Sequence, residues 1–163
     1  MPEDAQVLME MNNDPMITQF VVGSPRLVTL DEQIIWMSRL KNEKNIDRFM
    51  IDFKGQAVGT IIISDISECN KTGNMNIKLL PISWGKGIGT KSIQLALDYC
   101  FNKKKLMCIT AHILSYNNAS IALFTKSGFK KEGVLRSRVL KNDKRCDLVS
   151  FSILKDEYED NKK

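Results

Sequence analysis

Histidine occurs once in the 163 residues, at His112, and the four cysteines, Cys69, Cys100, Cys108 and Cys146, form no CxxC pair. A structural zinc site takes about four such ligands at close spacing, so no metal is expected. Apolar runs of about 18 residues are absent, so no membrane-spanning helix and no membrane partner are expected. The opening "MPEDAQ" is acidic and polar, unlike a secretory leader. Read with cysteines that suit free thiols, this makes the cytoplasm the expected compartment. Internal repeats, linkers and low-complexity stretches are also missing, so residues 1–163 are expected to form a single domain, with 155–163 as a polar tail. The net charge is +5, and Lys103, Lys104 and Lys105 stand in a row. No aromatics interleave with them. The run reads as a solvated helix end, and no nucleic-acid partner is expected.

The residues present divide cleanly into elements. Pro2, Glu3 and Asp4 suit a first helical turn, and Ala5, Leu8 and Met9 supply its apolar stripe up to Asn12-Asn13-Asp14-Pro15. Thr29 with Glu32 is a capping-box pattern that opens a second helix, ending near Leu40. Strands are predicted over 48–53, 57–66 and 74–80, the first two joined by a Lys54-Gly55 turn. Ile93, Ala96, Leu97, Cys100 and Phe101 follow helical spacing, and Met107–Leu114 reads as a strand. A short helix over 118–126 stops at Gly128. A final hairpin turns at Asn142-Asp143. The order predicts a mixed α/β (α+β) domain with its crossover at a glycine loop.

That loop is "ISWGKGIGTKSI". A glycine-rich turn between a strand and a helix presents unpaired backbone N–H groups to an anion, and the helix dipole favours negative charge there. Lys86 and Lys91 add to it. A P-loop needs GxxxxGK[ST], but Gly85 to Gly89 is one residue short and Thr90 separates Gly89 from Lys91. A dinucleotide fingerprint wants a carboxylate ending the next strand, where this chain has "HILSYNN". Gly87-Ile88-Gly89 fits the second half of the [QR]xxGx[GA] loop of acyl-CoA sites. An incidental glycine turn remains the alternative.

The wider context resembles the GNAT superfamily of N-acetyltransferases, and within it the branch containing the ribosomal-protein N-terminal acetyltransferases. "LPISWGKGIGTKSIQLALDYCF" is similar to that branch's cofactor segment, and "ITAHILSYNNASIALFTKSGFKKEGVLRSRVL" to its strand, Asn-x-x-Ser helix and Gly-Phe turn. "NNDPMITQFV" and "KRCDLVSFSILKDEY" extend the likeness over nearly the whole chain. The resemblance implies a central, mostly antiparallel sheet whose third and fourth strands splay apart to take acetyl-CoA as co-substrate. It places the pantetheine along Leu79 and Leu80 and the pyrophosphate on Gly85, Lys86, Gly87, Ile88, Gly89 and Thr90, with Trp84 sheltering the cofactor. Asn117 would bind the cofactor, cap a helix, or do both. The family's first strand has no counterpart here, so either another element covers that edge or the sheet loses a strand and exposes an edge that a second copy could cover in a homodimer.

The implied reaction moves an acetyl group directly from the thioester to a primary amine, either a protein N-terminus or a small amine such as an amino sugar, polyamine or antibiotic. The family's usual glutamate is replaced by Asn74 and its tyrosine acid by Phe124, which reads as core. Ser120 matches the branch's serine and is the candidate acid, with Tyr116 second. Asp65, Glu68, Asp147 or a water chain could serve as base. Main-chain N–H groups in "LLP", those of Leu79 and Leu80, are candidate oxyanion donors. The acceptor is expected between the first two helices with their loop, carrying Arg26 and Asp31, and the last hairpin, carrying Arg136, Arg138, Asp143 and Asp147. His112 reads as a packed or hydrogen-bonded residue, and Trp36 and Trp84 as packing residues. The missing Glu and Tyr also leave open a non-catalytic acyl-CoA-binding module.

Overall fold

The computed structural model describes residues 4–23, 26–40 and 43–161. Pro2 and Glu3 of the predicted first turn lie outside them. Helix α1 (Asp4–Asn13) stops where expected, and Pro15 opens a four-residue helix α2 (Pro15–Thr18) behind the N-cap of Asp14. The capping box at Thr29 and Glu32 is present, with both reciprocal bonds, at the head of α3 (Leu30–Arg39).

Strands β1 (Asp47–Phe53), β2 (Gln56–Ser67) and β3 (Thr72–Leu79) form an antiparallel meander. Its first turn uses Lys54 and Gly55 at φ of 57° and 79°, the mirror-type geometry that tight hairpins demand. The chain crosses over through α4 (Ile88–Asp98), which widens into a π-turn over Tyr99–Lys103, to reach β4 (Cys108–Leu114), parallel to β3. Helix α5 (Asn118–Lys126) leads to β5 (Lys130–Lys141) and β6 (Lys144–Leu154). Their turn sits at Asn142 and Asp143, both at positive φ. The sheet order is β1-β2-β3-β4-β6-β5. The strand ladder begins with β1, which is a sheet edge among the described residues.

One face of the sheet carries the apolar side chains Ile61, Ile63, Met75, Ile109, Ala111, Phe151 and Ile153. These close over Ile93, Leu97, Cys100 and Phe101 of the crossover. Phe124 is core, edge-on to Phe129 at 4.9 Å. The predicted polar tail is corrected over much of its length: Lys155–Asp160 is a helix, α6, whose Tyr158 is buried against Phe101. Its single buried aromatic among acids and lysines leaves no periodic signal. Lys162 and Lys163 lie outside the described residues. The lysine run follows the crossover helix as a solvated end, with Lys104 bridging to Asp47 at 3.1 Å. All four cysteines are free thiols. None of the described helices is long and apolar enough to cross a membrane, and the described residues hold no cluster of metal-ligating side chains.

Candidate active site

β3 and β4 pair only over Thr72↔Cys108, Gly73↔Ile109 and Asn74↔Thr110. Beyond Asn74 the ladder between them ends, although β3 runs on to Leu79 and β4 to Leu114. The two strands therefore open a V, with Asn74 at its vertex. Leu80 donates its N–H to Val58 on β2 at 2.9 Å. Backbone bonding alternates along an antiparallel strand, so Lys78 and Asn76 also face β2, while Ile77 and Leu79 turn their N–H and C=O into the V. This corrects the expectation for Leu80, whose amide is already spent. The cleft-side donor in that segment is Leu79.

The glycine loop lies at the mouth of the V. Gly85 and Gly87 have φ of 72° and 76°, and a Cβ on either would enter open space. Gly87 is the N-cap of α4 and supplies no side-chain acceptor. By contrast, α3 is capped by Thr29 and α5 by Asn117, so the first amides of α4, at Ile88, Gly89 and Thr90, stay available to an anion. Ile88 and Gly89 offer backbone only. The Ile88 side chain is buried, and a Cβ on Gly89 would meet Leu123 at 3.1 Å and Leu79 at 3.3 Å. Lys86 and Lys91 are exposed beside the loop. Trp84 is half-exposed and donates its indole N–H to the Leu79 carbonyl at 3.0 Å, so it stands over the cleft rather than in the core.

On the other wall, Asn117 accepts from Ser120 N at 3.1 Å, which settles its capping role and leaves its Nδ2 without a bond among the described residues. Ser120 sits half-buried in the first turn of α5, and its hydroxyl makes no hydrogen bond among the described residues. Tyr116 is committed elsewhere: its hydroxyl donates to Gln19 O at 2.8 Å and its ring packs near Phe20. Burial pushes its phenol pKa up.

At the vertex, one register line crosses four strands as Ser64, Asn74, Thr110 and Ser152. Asn74 joins Ser64 at 3.4 Å and Thr110 at 3.3 Å. Asp65 ends the line on one side, 3.1 Å from Ser64 Oγ, and Glu132 ends it on the other through a short bond to Ser152 Oγ. Sequence reasoning missed Glu132 and the row itself. The available signal was a polar residue inside each of four apolar strands. Of the other proposed bases, Asp147 is occupied in holding Ser137 N at 2.7 Å across a β-bulge, and Glu68 lies exposed in the β2–β3 turn. Of the acceptor-side charges, Arg26 pairs with Glu32 at 2.8 Å. His112 is exposed on β4, which corrects its reading as a packed residue, while Trp36 is half-exposed with its ring packed under Arg48 at 5.4 Å.

An acetyltransferase (GNAT) domain model matches residues 1–130. The chain belongs to the GNAT acetyltransferase family. It is 31% identical over 160 residues to the uncharacterized N-acetyltransferase p20 of Bacillus licheniformis, covering 96% of this chain and 90% of that one. A Bacillus subtilis protein named as a ribosomal N-acetyltransferase, YdaF, is 25% identical over 99% of this chain and 91% of its own, which lends the ribosomal branch only weak support. The spermidine N-acetyltransferase of Vibrio cholerae, solved with CoA and spermine, shares the fold with a TM-score of 0.88 at 24% identity, covering 96% and 93% of the two chains. This GNAT protein is therefore an N-acetyltransferase that uses acetyl-CoA as co-substrate and an amine as acceptor. The open V and the uncapped α4 suit the pantetheine arm and the diphosphate of that molecule.

Proposed function

We propose that this enzyme acetylates the primary amine of a small molecule by direct transfer, with the diphosphate of acetyl-CoA held by the amides of residues 85–90. The observation that carries the reading is the pairing of two open, positive-φ glycines with an uncapped helix at the mouth of the V. Thr90 and Lys86 complete the anion cradle, and the Nδ2 of Asn117 reaches the cofactor from the opposite wall. Leu79 N–H lies on the cleft side and serves as the oxyanion donor. The Ser120 hydroxyl, unengaged among the described residues, returns a proton to the departing thiolate. A water chain running along β3 from the thioester to the row of Ser64, Asn74 and Thr110 takes the proton of the acceptor ammonium toward Asp65 or Glu132. A small acceptor rather than a protein N-terminus is supported by relatives such as the Escherichia coli spermidine N-acetyltransferase, 20% identical over 96% of this chain.

The test is calorimetric titration with CoA together with thiol release from acetyl-CoA, against small amines and N-terminal peptides. Binding with turnover of a small amine is expected, and Ser120→Ala should lower kcat about tenfold or more while leaving CoA affinity alone. Tight CoA binding without turnover of any amine would favour the non-catalytic module instead. Unchanged kcat in the alanine variant at every pH would remove Ser120 from the mechanism.

A further inference from the structure

A second concavity lies against the face of the sheet opposite the main core. It has a volume of about 290 Å³ and is closed by α1, α3 and strands β1–β3. Lys78 lines it, pointing away from the core beside the cleft-facing Leu79. Its ammonium makes one hydrogen bond among the described residues, to the neutral Asn12 Oδ1 at 3.2 Å, and no described carboxylate lies within ion-pair distance. Arg48 lines the same cavity from β1. Its Nη2 pairs with Glu43 at 2.6 Å, but its Nε is buried with no acceptor. Behind Asn12, Gln33 of α3 is only 2% exposed; its Oε1 accepts from Asn12 Nδ2 at 3.0 Å, and its Nε2 also has no partner. Asp4 is the one acid lining the cavity among the described residues, and it has a partner of its own.

Unsatisfied buried donors and a lysine held by a neutral amide cost stability, and an acceptor-rich anion would offset that cost. A polycation would place more positive charge beside Lys78 and Arg48. Lys78 directly precedes Leu79, the proposed oxyanion donor, so its side chain leaves β3 beside the reacting thioester and enters this cavity. A short chain can therefore set its amine against the thioester at Leu79 and its other end at the Lys78 ammonium. Resting on the acetyl-transfer reading above, we propose that the acceptor is an amine bearing a carboxylate at the far end of a short chain, and that Lys78 and Arg48 receive this carboxylate.

Matched acceptors test this, because γ-aminobutyrate and δ-aminovalerate differ from putrescine and cadaverine in carrying a carboxylate in place of one ammonium. The acids should show a KM about tenfold or more below the diamines and below their own carboxamides. Lys78→Met should erase that preference and Lys78→Arg should restore it, with CoA affinity unchanged in both. Calorimetry of the N-acetylated acids with the CoA-bound protein reads the same subsite without turnover. Diamines and carboxamides performing as well as the acids would overturn the proposal and leave acetyl transfer standing. A fall in kcat with unchanged KM for every acceptor in Lys78→Met would also overturn it, by making Lys78 a proton carrier. If no amine were acetylated at all, the underlying transfer reading would fall first.

Discussion

Lys78 is the residue whose chemistry is least at ease in the fold. Burial lowers its pKa below the ordinary lysine value. In the pH interval between its folded and unfolded pKa values the unfolded chain binds more protons, so native stability contributed by this site rises with pH there and is lowest at neutrality. The charged groups around it are Arg48 of β1 and Asp4 of α1. Lys78→Met should therefore raise the melting temperature at pH 7 by about 3 °C, the shift that roughly 1 kcal/mol gives in a chain of this size. The gain should shrink as pH approaches 10.5, where the wild-type lysine also loses its proton. Thermal scans across that range check it, and a Met variant less stable at pH 7 would contradict the argument. Nothing in "MNIKLLP" betrays this lysine. An alternating strand puts it on one face, but only the helices laid over that face bury it.

Two glycines show how elements divide the work around the cleft. At Gly87 an added methyl meets no atom but must adopt a left-handed backbone, and it would enter the open space proposed for the diphosphate. Gly87→Ala should cost about 1 kcal/mol of stability and weaken CoA about tenfold, read by calorimetry beside a denaturation curve. At Gly59 a Cβ would lie 2.5 Å from Lys78 O and 2.6 Å from Leu79 Cδ2. Gly59→Ala should cost about 1–3 kcal/mol by forcing β2 off β3, with the loss showing first in melting temperature. Equal effects of the two changes on CoA binding would contradict this separation. The loop was legible because a strand, three glycines and an amphipathic helix follow one another in the chain. The close approach at Gly59 was not, because it depends on which strand lies alongside.

Across the whole molecule, the segment after α2 is tied to the far hairpin. Lys141, 7% exposed, donates to the carbonyls of Thr18 and Val21, and Tyr116 holds Gln19. Lys141→Met should leave those carbonyls unpaired, cost about 1–3 kcal/mol, and open residues 18–23 to proteolysis while CoA affinity stays unchanged. Limited digestion with and without CoA reads this, and a protease-resistant variant would show the tether to be idle. Much of the fold is legible locally, since the capping box at Thr29, the two mirror turns, the helical spacing of the crossover and the stop at Gly128 each arise from neighbours in sequence. The sequence by itself determined the order of elements, the glycine loop between strand and helix and, through family resemblance, the acetyl-CoA chemistry. Only the tertiary structure decided that Leu80 faces away from the cleft, that Ser64, Asn74, Thr110 and Ser152 form one line, that Lys155–Asp160 docks as a helix, and that unsatisfied donors gather under α1 and α3. Each of these depends on register or packing between segments far apart in the chain, and such contacts leave no periodic mark in the residues that make them.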